Sequence, residues 1–145
     1  MNLSKHIKVA VVAAAAVAAT SAVNGNITDM SGYDGIIYVA VLDSAVSTSV
    51  ISLKAQQNTA NSAGGMADIT NSGTTPYTGT GAETAGFAFL TDVFRPQQRY
   101  VRPVLTRTTA NAVVDCIVAI QYVTGHKPTV QDATIIASQF VAPTA

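Results

Sequence analysis

The amino-acid sequence predicts an all-β fold, an antiparallel β-sandwich or barrel formed by one domain over residues 1–145, and two patterns carry the prediction. Short apolar or β-branched runs recur between clusters of Gly, Asn, Ser and Thr, the punctuation of hairpins and Greek keys. Within the runs the period is two. In 49–57, Ile51, Leu53 and Ala55 alternate with Ser52, Lys54 and Gln56, as a strand with one buried face requires. Seven or eight such runs fit the chain, which has the size of a single core.

At the N-terminus, Lys5, His6 and Lys8 precede the apolar run 9–19, and Ala22 follows Thr20. This imitates the charged, apolar and cleavage regions of a secretory leader. The run falls short of the roughly 20 residues a bilayer span needs. With Met1 at the head of the chain, segment 1–22 is expected to remain in the folded protein as an arm or first strand. Its alanines favour helix and its valines strand, so its type stays open. Asn24-Gly25, between Val23 and Ile27, predicts a hairpin turn. A turn at 31–35 leads into 36–42, apolar on both faces and therefore a central strand. Residues 58–85 predict a loop around one short strand at 66–69. Strand 86–94 brings Phe87 and Phe89 to a chain without Trp. Strands 99–108 and 113–124 follow, separated by a turn at 109–112.

In the last strand Val114, Cys116, Val118, Ile120 and Tyr122 share one face and Asp115 and Gln121 mark the other, so Cys116 reads as a small buried hydrophobe. The tail 126–145 reads as an extended arm. Thr129 and Asp132 offer a capping box, but Val130, Thr134, Ile135, Ile136 and Val141 are poor helix formers.

Composition narrows the function. Charged residues are 11% of the chain, against roughly 25% in ordinary domains, and eight basic residues cancel eight acidic ones. Phosphate backbones call for a basic stripe, so nucleic acid is not an expected partner, and no membrane is expected either. Hydrophobic content of 48% and a mean hydropathy of +0.32 speak for a packed core rather than disorder. The surface must then be built from Thr, Ser, Asn, Gln and Ala, which equips the chain poorly to stay apart from its neighbours. One cysteine, two histidines and the single Glu83 give no metal-site spacing, and no cofactor or catalytic residue is expected. A Ser or Thr nucleophile would need His6 or His126 as its base. The first lies in the N-terminal segment and the second beside Lys127-Pro128, so an enzyme ranks last.

The most distinctive segment is 94–103. Arg95, Arg99 and Arg102 fall within eight positions, and Arg107 follows. On a strand beginning at 99, Arg99, Val101, Leu105 and Arg107 share one face and Tyr100, Arg102 and Val104 the other. Pro96 and Pro103 suit an edge or a bulge and argue against a central strand. Two readings stand side by side. The arginines brace a sheet end by pairing with Asp92 or Asp115, or Arg95, Arg99, Tyr100 and Arg102 form an interface, since Arg beside Tyr is the composition of interface anchors.

Read in order, Asp29-Met30-Ser31-Gly32-Tyr33-Asp34-Gly35 running into Ile36-Ile37-Tyr38-Val39, then Leu53-Lys54-Ala55-Gln56-Gln57, Tyr100-Val101-Arg102-Pro103 and Ile120-Gln121-Tyr122, resemble small virion proteins of tailed bacteriophages. The resemblance implies a head decoration or cement protein: a β-sandwich, often a jelly roll, on the outer capsid surface, commonly a trimer, with the major capsid protein as partner. The competing expectation is a secreted, lectin-like β-sandwich binding module with a signal peptide.

Overall fold

The computed structural model describes residues 3–83, 86–125, 130 and 132–137. Among them the chain is all-β apart from one 3-10 turn at Leu3–Lys5. The strands are β1 (Ile7–Ala13), β2 (Ala16–Ala19), β3 (Val23–Asn24), β4 (Thr28–Asp29), β5 (Gly35–Ala45), β6 (Val50–Asn58), β7 (Ala67–Asp68), β8 (Tyr77–Thr78), β9 (Phe87–Phe94), β10 (Tyr100–Thr108) and β11 (Ala112–Tyr122). One sheet runs β1-β11-β5-β9 with β2 beside β11; the other runs β3-β10-β6-β7 with β4 on β10 and β8 on β6. All pairs are antiparallel. With β1/β2, β3/β4 and β7/β8 each taken as one interrupted strand, eight positions nest: first pairs with last, second with seventh, third with sixth, fourth with fifth.

The core lies between the sheets. Ile36, Tyr38, Ala40 and Leu42 of β5 face Ile51, Leu53 and Ala55 of β6 and Val101 and Leu105 of β10, all buried. The period-two pattern read in 49–57 is thus the inner face of β6. Gln121 crosses the gap, its Nε2 donating to the Asp29 carbonyl at 2.8 Å.

The apolar run 9–19 is strand, not helix. Both β1 and β2 lie on β11, with Val12 inserted as an extra residue where the register steps between Val11 and Ala13. Val12 is buried in the core.

Asn24-Gly25 is not a hairpin turn. β3 and β4 both run along β10, and the register steps by one residue between them. Gly25 lies there because a Cβ would fall 2.4 Å from Pro103 Cγ, and its N–H donates to the Pro103 carbonyl at 2.9 Å. A strand residue directs its N and its carbonyl to the same side. The donor that Pro103 lacks therefore falls on this interrupted side, which is how a proline stands in β10: the strand is internal, and of the edge or bulge that Pro103 suggests it is the interrupted register beside it that accommodates the ring.

The inner face of β11 also differs from the alternation. The β5–β11 register skips Asp43 on one strand and Asp115 on the other. Each is an exposed extra residue. A one-residue bulge exchanges the faces of everything beyond it. Ile117, Ala119 and Gln121 consequently turn inward, while Cys116, Val118, Ile120 and Tyr122 turn outward and are only half-buried.

Segment 58–83 carries two short strands rather than one, and it is fastened to β6. Buried Asn58 donates to the carbonyls of Ser62 and Gly64, and Thr74 N–H donates to the Leu53 carbonyl. Glu83 accepts from Tyr77 and from the Thr80 and Gly81 N–H groups, and the Tyr77 hydroxyl first, then Thr80, hold its carboxyl down at about 2. In the tail, the Thr129 half of the capping box and most of the arm 126–145 lie outside the described residues. Described residues 130 and 132–137 hold neither helix nor strand, and Thr134 Oγ1 accepts the Val11 N–H at 3.1 Å.

Candidate interface

The arginine segment links β9 to β10 and divides into two places. Arg95 takes a left-handed backbone (φ 52°), with its N–H on the Asp34 carbonyl at 2.7 Å and its guanidinium 5.0 Å from the Phe94 ring centroid. Gln57 Oε1 accepts the N–H groups of Gln97 and Gln98, fixing the turn that follows. Arg99 lies just before β10, exposed, and meets Asp29 with both prongs: Nε to Oδ1 and Nη2 to Oδ2, each 2.8 Å. Its other face lies 5.3 Å from the Tyr100 ring centroid. Asp29 Oδ1 also accepts the Ser31 N–H, and the Arg99 contact holds the carboxyl at about 2, well below its ordinary 3.8. Arg95 and Arg99 share the wall of an open cleft with Tyr33 and Asp34.

Tyr100 and Arg102 instead alternate onto the outward face of the second sheet. There Arg102 Nε donates to Gln56, Gln56 donates to Asp68, and Asp68 pairs with Lys54 at 2.7 Å. Ser52 and Thr106 share a further hydrogen bond on this face. It is a polar face whose groups already satisfy one another.

The brace reading therefore holds with different partners. Arg99 pairs with Asp29, not with Asp92 or Asp115, and Asp92 accepts the Tyr122 hydroxyl at 2.8 Å. Arg107 is a second brace. It is buried at 3% exposure, and its guanidinium donates to the carbonyls of Ser21, Val17 and Ala112 at 2.8, 2.9 and 2.6 Å. Of the four sequence candidates, Arg99 and Arg102 are engaged within the chain. Arg95 has no carboxylate partner among the described residues.

The outward face of the first sheet was missed from sequence and has the opposite character. One rung runs Val11, Val118, Val39, Leu90 across all four strands. The next runs Val9, Ile120, Ile37 and ends at Asp92. Beyond them Cys116 and Val41 adjoin Ala88. At the other end Tyr122 lies across Gly35, where a Cβ would fall 2.2 Å from its ring, and so reaches Asp92. Burial and that carboxylate push the Tyr122 phenol up to about 12. None of these residues except Gly35 is buried; Leu90 is 58% exposed and Phe94 54%. The available signal was the two-faced apolar run 36–42, which in an outer layer leaves one apolar face uncovered.

Among the described residues no group of three or more His, Cys, Asp or Glu side chains gathers as a metal site. No family model matches the chain, and no curated protein matches it.

Proposed function

We propose that the protein is a structural component of a virion, a decoration or cement protein that sits on the outer surface of a tailed-phage head and stabilises contacts between capsomers. The observation that carries the reading is the contrast between the two outward faces, one polar and internally hydrogen-bonded, the other aliphatic and open. A protein that works alone in water gains nothing from such a face, whereas one whose working state is buried against neighbours can use it. The nested pairing of eight strand positions in a β-sandwich supports the jelly roll that the resemblance to phage virion proteins implies. In this reading the major capsid protein is the partner, the chain acts as a homo-oligomer, a trimer by the same resemblance, and the role is not enzymatic.

The secreted-module alternative would require cleavage after the alanine run. That cut would remove β1 and β2, strip one edge of β11 and take Val12 out of the core. The packing of the leader-like segment therefore favours the virion reading.

Heads prepared without this protein provide the test. Adding it back should raise the temperature at which they rupture, saturating at a fixed number of copies per capsid protein. Heads that neither bind it nor gain heat resistance would reject the proposal.

A further inference from the structure

We infer that the outward face of the β1-β11-β5-β9 sheet is where a second copy of this chain packs, sheet against sheet, about a two-fold axis. The inference starts from the same open face as the capsid reading: free in solution a second copy covers it, and on the head capsid neighbours take that copy's place. Chemistry points to a copy as the occupant. Across its two central rungs the face has one charged side chain, Asp92, and that carboxylate is already occupied by the Tyr122 hydroxyl. What remains of these rungs is aliphatic and uncharged, so the same surface on a second copy suits it, as a two-fold contact requires. A chain of zero formal charge sets up no net repulsion against its copies.

Size decides how strong the pairing is. Four strands about 4.8 Å apart, each contributing about seven residues at 3.3 Å, make a face of roughly 440 Å² in plan. Two such faces together come near the roughly 1,000 Å² at which specific interfaces begin. The area matches a reversible dimer that forms as concentration rises, not an obligate one. Sheets paired face to face stand about 10 Å apart, which puts the half-buried Cys116 thiol inside the contact.

Cys116 is the chain's only cysteine and so reports on the face directly. Sedimentation across the micromolar range should show the mass doubling, and alkylation of Cys116 by iodoacetamide should slow severalfold over the same range. Leu90→Lys, at an exposed position on an edge strand, should abolish both effects while leaving the far-ultraviolet dichroism and the unfolding midpoint unchanged. Thr108→Lys, on the opposite sheet, should leave both effects intact. If Leu90→Lys misfolds, Leu90→Ser replaces it and should weaken the dimer. A monomer at every concentration overturns the inference. So does an oligomer of any order in which Cys116 reacts at the same rate throughout, because the copies then meet elsewhere or the chain itself covers the face.

Discussion

Arg107 and Arg99 lie eight residues apart and do unlike work. Arg107 is buried with no carboxylate partner among the described residues, and burial lowers its pKa from the ordinary value, yet three carbonyls from two separate segments surround it. Arg107→Ala would leave those acceptors without their donor, so we expect a loss of about 3 kcal/mol, read from chemical denaturation. Little or no loss would mean that water replaces the guanidinium. Arg99 is exposed, and its contribution should appear through Asp29. The folded Asp29 carboxyl, at about 2, lies below its ordinary 3.8, so what it adds to stability is complete above about pH 4 and disappears as pH falls through about 2. Asp29→Asn should flatten the acid limb of the stability curve in that window and leave its shape at neutral pH unchanged. An unaltered acid limb would show that the bidentate pair contributes nothing to folding.

At the level of strands, the sequence made the alternation of β6 legible because every second residue from Ile51 to Ala55 enters the core without interruption. The same rule misplaced the inner face of β11. Asp43 and Asp115 are extra residues in facing strands, and a bulge marked only by an exposed aspartate leaves no periodic signature. Asn24-Gly25 was misread for a related reason: Gly serves a close backbone approach as readily as a turn, and only the position of Pro103 separates the two. The Arg99–Asp29 pair spans 70 residues, and no local pattern announces it. The N-terminal strands give a direct prediction. Because β1 and β2 both pair with β11, intact-mass measurement of the native protein should find residues 7–19 retained, and a chain lacking residues 1–22 should lose its cooperative unfolding transition. A native mass beginning at Val23 would favour the secreted module.

For the whole molecule, the division of polar and apolar surface matters more than the arginine cluster that stands out in the sequence. Arg99 and Arg102 are largely spent within the chain, while the aliphatic sheet face is available to a partner. With no net charge there is no long-range field for salt to screen. Raising salt from roughly 0.1 M to 1 M shortens the screening length from about 10 Å to about 3 Å and should leave attachment to neighbours in place. Arg99→Lys should then change unfolding more than attachment, because its fork is already occupied by Asp29. The most direct measurement of the central claim is the ratio of this protein to the major capsid protein in purified particles, taken before and after a wash at roughly 1 M salt. The account predicts a fixed stoichiometric ratio that survives the wash; absence from purified particles would contradict it.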